Sequence, residues 1–233
     1  VRRILERAMA LYSEELERGV ASAVSDFEEE LFRLADRGSS HGSALDYMQV
    51  LRVVRLNRHD VVPRFMQLLE SGLARLRQPL AAGSTLRGSA PPPSGPVSFR
   101  NLRLVDESVM DEGAVLHEIA VRQESRANLV LHLLGQRFGV LAGLPAFDAE
   151  RNPLGPQALC RAMRSAIEGL QLEHEPRLLF YRIFDRRVMG LCHTLCEKLD
   201  ALLAEEGVLP GLTYVPMRTR AQAESADDGF PAR

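Results

Sequence analysis

The first 37 residues leave little choice of local structure. Leu5, Ala8, Tyr12, Leu16, Val20, Ala23, Phe27, Leu31 and Leu34 recur at steps of three and four, which on a 3.6-residue helix lines them along one face. Gly19 is the weak point, costing ~1 kcal/mol against alanine in a helix interior. The spacing predicts one long helix over 1–37, or two shorter ones stacked end to end. Gly38 is placed for a left-handed cap, and the glycine- and serine-rich run to Gly42 ends the pattern.

The same periodicity continues. Ser43 is a candidate cap for a helix carrying Leu45, Met48 and Leu51, with Arg52, Arg55, Arg58 and His59 across its polar side. Asp60 restarts helix, because Pro63 would then fall in a first turn, where its missing N–H costs least. Residues 79–98 break the pattern: Pro, Gly and Ser fill twelve of twenty positions, and such a segment cannot bury enough surface to offset its ordering entropy. A flexible linker is expected there. Ser108, with Asp111 three residues on, opens a helical block to about Leu141. Asn152-Pro153-Leu154-Gly155-Pro156 reads as a turn whose last proline starts the next helix. A final long helix is expected from Pro176 through Leu202. Gly207 ends it, Val208 closes the cap and Pro210 prevents continuation.

No segment alternates with a period of two and β-branched enrichment, so the expected class is all-α. Two helical blocks of antiparallel helices (1–78 and 99–215) would be joined by the 79–98 linker and followed by a polar tail, 216–233. A net charge of −2 gives no global attraction to nucleic acid or anionic lipid, and with no Trp the chain is poorly supplied with base-stacking platforms. No run approaches the ~18 apolar residues of a membrane span. Three cysteines are too few for a disulfide framework, which points to a reducing, cytoplasmic setting. Val1 in place of Met suggests a fragment or processed form.

Several motifs invite chemistry. Gly38-Ser39-Ser40-His41-Gly42 has the letters of a nucleophile elbow, but that motif needs a preceding strand, and a helix–helix loop is expected instead. His117-Glu118 lacks a second His four residues on, and His132 lies fifteen residues away, so no metal site is assigned. Cys192 and Cys196 share a helical face, yet their surroundings are apolar and core packing is the expected role, as for Cys160. Lys198 is the only lysine and lies mid-helix, so there is no phosphate loop, and no cofactor is assigned. The candidate binding residues are two arginine clusters. Arg52, Arg55 and Arg58 form a stripe beside His59; Arg182 and Arg186 lie with Arg187 on the last helix, and Arg161, Arg164 and Arg177 are near in sequence. A guanidinium fork suits carboxylate or phosphate. The competing role is pairing with Asp26, Glu28, Glu29, Glu30 and Asp36, or with the acids of 106–124.

The segment from Phe27-Glu28-Glu29-Glu30-Leu31-Phe32-Arg33-Leu34-Ala35-Asp36 through 47–58 resembles the opening of the bacterial family catalogued as domain of unknown function 1631. Leu104-Val105-Asp106-Glu107, the Asn152–Pro156 turn, Leu179-Phe180-Tyr181-Arg182-Ile183-Phe184-Asp185-Arg186 and Gly207-Val208-Leu209-Pro210 are similar to its recurring segments, in order. The resemblance implies a bacterial cytoplasmic protein longer than this chain, of which the chain is an N-terminal portion. Some members carry the label thymidine phosphorylase, for which this chain has no glycine-rich phosphate site. The family is also associated with cyclic-di-GMP signalling through a PilZ-type β-barrel elsewhere in the longer chain. Arg182 and Arg186 have that barrel's first spacing, but on a predicted helix and without its second motif, so nothing transfers to them.

The expected function is therefore a non-enzymatic helical interaction or scaffold module of a larger regulatory protein, working through a protein partner or self-association. One alternative is a nucleotide or cyclic-di-GMP pathway regulator using the arginine clusters, although no motif supports the cyclic dinucleotide. Another is an enzyme whose site assembles from dispersed residues. Nucleic acid is not an expected partner.

Overall fold

A computed structural model describes residues 1–37, 41–76 and 107–212, without the side chains of 41–45 and 107–110. Gly38, the 79–98 linker, the 216–233 tail and the capping side chains of Ser43 and Ser108 lie outside the described residues. Among those described the chain is all-α, with no strand.

Helix α1 (Arg2–Arg37) is a single helix, about 54 Å long at 1.5 Å per residue. It is buried on two flanks. Leu5, Tyr12, Leu16, Phe27 and Leu31 are sealed from solvent, and so is Gly19. A Cβ on Gly19 would stand 3.3 Å from the Arg187 carbonyl, so the weak point of the sequence is a place of close helix approach. Helix α2 (His41–Arg75) lies along one flank. Leu5 and Met9 near the start of α1 border the same groove as Leu73 and Ala74 near the end of α2, whereas Glu28 faces Arg55 and Arg58.

Helix α2 corrects two expectations. It begins at His41, ahead of Ser43, and it runs unbroken through Pro63. The proline removes one rung of the backbone ladder, but Val61 and Phe65 on either side of it are buried, and their packing holds the helix together across the gap.

The remaining helices are α3 (Glu107–Arg126), α4 (Asn128–Ala142), α5 (Pro156–Ile167), α6 (His174–Arg187) and α7 (Cys192–Glu205). The helical block expected to about Leu141 is two helices, divided at Ala127 (φ −105°, ψ 13°), which is itself buried. The corner lets α3 rest on α5 and α6 while α4 turns onto α7. The expected last helix is likewise two: α6 ends at Val188 (φ −113°, ψ −52°), and a 3-10 turn, Met189–Leu191, redirects the chain into α7. Val188 and Met189 are fully buried, so the core occupies the corner. The Asn152–Pro156 turn forms as expected. Asn152 Oδ1 accepts from the Leu154 N–H at 3.1 Å and Pro156 is the first residue of α5. The Gly207 cap also forms: at φ +80°, its N–H bonds the Ala204 carbonyl, and the Val208 N–H bonds the Leu203 carbonyl.

Helices from before and after residues 79–98 share one hydrophobic core. The second flank of α1 meets α6 and α7: Phe27 packs edge-on to Phe180 with ring centres 5.2 Å apart, and the Tyr12 hydroxyl donates to Cys196 Sγ at 3.6 Å. Helix α2 reaches the same layer through Phe65 and Phe184, 6.3 Å apart, and packs on α5 along its C-terminal half.

The loop after α4 folds back onto that helix. Phe147 N–H bonds the Gly135 carbonyl and Leu144 N–H bonds the Gly139 carbonyl, both at 2.9 Å. A Cβ on Gly135 would come within 2.1 Å of the Phe147 carbonyl oxygen, and one on Gly139 within 2.8 Å of that of Pro145. Gly113, in α3, has nothing within 4 Å of such a Cβ. Chemical denaturation should therefore separate two identical substitutions by sign. Gly135→Ala is expected to lose about 1–3 kcal/mol through overpacking, and Gly113→Ala to gain roughly 0.5–1 kcal/mol from helix propensity.

Candidate functional site

Helix α1 supplies a row of carboxylates between the two arginine clusters. Arg55 Nε and Arg58 Nη1 lie 3.5 and 3.6 Å from Glu28, on the α2 side. On the α6 side, Arg187 grips Asp26 with both arms of its fork (2.5 and 2.9 Å), and Arg186 reaches it at 3.3 Å. The hydrogen bonds from Arg187 hold the Asp26 carboxyl below its ordinary value, partly opposed by burial; the same contact raises Arg187. Asp185, which interrupts the cluster in sequence, turns to α3 and accepts from Arg122 at 2.9 Å.

The structure does not bring the five candidate binding residues together. Arg55 and Arg58 are engaged by Glu28 and Arg186 by Asp26, while Arg52 and Arg182 make no ion pair among the described residues. Arg182 and Arg186 line a groove of about 500 Å³ with Asp26, Glu29, Glu30 and Arg33, whereas Arg55 borders a separate one beside Glu28 and Phe32. Each groove mixes both signs of charge. Of the arginines near in sequence, Arg177 bonds Glu112 at 2.7 Å and Arg161 reaches the Glu150 carbonyl at 3.5 Å.

The thiols are core residues. Cys160, Cys192 and Cys196 are all buried and unbridged. Burial, helped by the charge of Asp185, pushes the Cys160 thiol up to about 12. Cys192 is raised by its hydrogen bond to Cys196 and by burial, and burial foremost raises Tyr12. No group of three or more His, Cys, Asp or Glu is placed to hold a metal among the described residues. His117 and His132 stand on different helices, and His132 faces Gln136 Nε2 at 3.0 Å.

Two ion pairs have a buried member: the pairing of Arg177 with the acids of 106–124 was expected, whereas that of Arg137 was not. Arg137, 2% exposed, bonds Asp200 at 2.7 Å and the Leu209 carbonyl at 2.7 Å, and also the Val208 carbonyl. It therefore ties α4 to the turn that leaves α7. Glu112, equally buried, holds Arg177, which also donates to the Leu172 carbonyl, and His174 Nδ1 stands 3.8 Å from the same carboxylate. The available signal for Arg137 was a charge next to Leu134 and Phe138 on an otherwise apolar helix. Also missed were large apolar side chains in solvent, off the buried stripes of their helices: Phe32 (54% exposed), Met48 (46%) and Leu56 (72%).

A family model described as the N-terminal domain of a protein of unknown function, DUF1631, matches residues 1–207. No curated protein and no solved structure matches the chain.

Two measurements check this electrostatic picture. Because the folded Asp26 value is lowered, its pairing stabilises the fold above the ordinary aspartate value of 3.8 and is lost as pH falls below it. The melting-temperature deficit of Asp26→Asn should accordingly be full at neutral pH and shrink in acid. All three cysteines should resist a disulfide-exchange reagent at pH 8 in the native chain and react in denaturant.

Proposed function

The chain belongs to the DUF1631 N-terminal domain family, and on that premise we propose that it is a non-enzymatic helical interaction module of a larger regulatory protein. The observation that supports this reading is a set of large apolar side chains left in water on α1 and α2. Phe32 on α1 and Met48 and Leu56 on α2 are all exposed; Met48, Arg52 and Leu56 follow one another at helical steps of four, and Arg55 borders the same groove as Phe32. Exposed apolar side chains beside arginine suit a protein surface that presents apolar side chains together with carboxylates. Glu28 stands within 3.6 Å of Arg55 and Arg58, which biases these exposed guanidinium groups toward α1. The arginines that would have served a nucleotide are here spent largely on α1.

The test replaces Phe32 and Leu56 by glutamate together. Both are exposed, so the melting temperature should move little. Sedimentation of the purified chain, and its co-purification from the native host, should show self-association or a partner that the double variant loses. An association profile identical for the two proteins, or none for the wild type, overturns the proposal.

A further inference from the structure

A second concavity, lined by none of those residues, has a different character. A groove of about 760 Å³ opens between the C-terminal part of α2, the loop after α4 and α5. Leu69, Leu144, Phe147 and Ala162 contribute apolar surface to it. Arg75 from α2, Arg151 from the 3-10 turn Ala149–Arg151 and Arg161 from α5 also line it, against a single carboxylate, Glu150.

These three arginines differ from those around Asp26, Glu28, Glu112 and Asp200. None of them is in an ion pair among the described residues. Two are nevertheless held in place by partners that carry no charge. The Arg151 guanidinium stands over the Phe147 ring, 5.7 Å from its centre, and Arg161 donates to the Glu150 carbonyl at 3.5 Å. Phe147 is itself anchored, because its N–H is bonded to Gly135 on the glycine face of α4. The wall bearing the cations is thus built on helix backbone, and among the described residues most of their donors have no protein partner, with Glu150 in the groove and Glu124 near Arg161 as the nearby carboxylates.

We propose that this groove binds a small organic anion, with a phosphate or carboxylate group held by Arg75, Arg151 and Arg161 and an apolar body against Leu69, Leu144 and Phe147. The volume is that of a pocket for a small ligand. Guanidinium forks bind both head groups in the same bidentate way, and the apolar floor selects against inorganic anions.

Titration of the full chain with 1-naphthyl phosphate, 1-naphthoate, 1-naphthol and inorganic phosphate tests this, read by calorimetry and by melting temperature. At least one naphthyl anion should bind saturably and raise the melting temperature, and the tighter of the two identifies the head group. Naphthol and inorganic phosphate should each bind about tenfold more weakly or worse, since each lacks half of the contacts. Arg75→Ala and Arg161→Ala should each weaken the anion about tenfold, while Arg18→Ala, exposed on α1 and outside the groove, should leave it unchanged. Saturable binding by neither anion overturns the proposal. So does affinity no better than that of naphthol, or affinity preserved in Arg75→Ala and Arg161→Ala chains whose melting temperatures show them folded.

Discussion

A helix that is apolar on two flanks cannot be satisfied by one neighbour, and α1 imposes that condition on the whole chain. Tyr12, Leu16, Val20, Ala23, Phe27 and Leu31 are closed to solvent only because α2 covers one side and α6 with α7 the other. Burying each of the larger side chains contributes about 1.5–3 kcal/mol, so leaving either flank open would forfeit a sizeable part of the stability of an ordinary domain. The segments before and after the proline-rich stretch therefore meet in one core around α1. The corner at Val188 lets α6 and α7 both lie on α1, and the corner at Ala127 lets α3 rest on α5 and α6 while α4 meets α7.

Charge is arranged around that core in two ways. Where acids of α1 project toward its neighbours they meet arginine, and the fork on Asp26 is strong enough to hold the carboxyl low. Exposed pairs of this kind add little stability individually, but they fix where the guanidinium groups point. Arg137 and Glu112 are different, because each is buried and each bridges two helices, α4 to α7 and α3 to α6. Loss of one member would strand a charge in the interior, which costs more than the pair returns.

The local grammar of this fold was legible in sequence, and its tertiary exceptions were not. Apolar spacing identified the buried positions of α1; Pro156 and Gly207 marked a helix start and a helix end through backbone rules that depend on no other part of the chain. Pro63 misled because the same local rule was applied where packing by Val61 and Phe65 overrides it. The break at Ala127 carries no glycine or proline, and Gly190 in the turn after Val188 sits inside an apolar spacing that continues across it, so neither break stood out from the periodicity. At the candidate site, sequence named the arginines and the acids that would compete for them. It could not say which arginines α1 engages, because pairing across helices depends on rotation about axes that periodicity leaves open. The contrast between Arg55 or Arg187, paired with acids of α1, and Arg75 or Arg161, in no ion pair among the described residues, exists only in three dimensions.

Pro63 has one more effect. It deprives the His59 carbonyl of its helical donor midway along α2, so the stretch before it and the stretch after it are joined there by packing in place of that backbone bond. The earlier one shows Met48 and Leu56 to water, while the later one lies under α5, with Gly72 approaching the Pro153 carbonyl. Amide protons on either side of this missing rung should therefore exchange with solvent at different rates, the outward segment opening by fraying while its neighbour opens only when the core does.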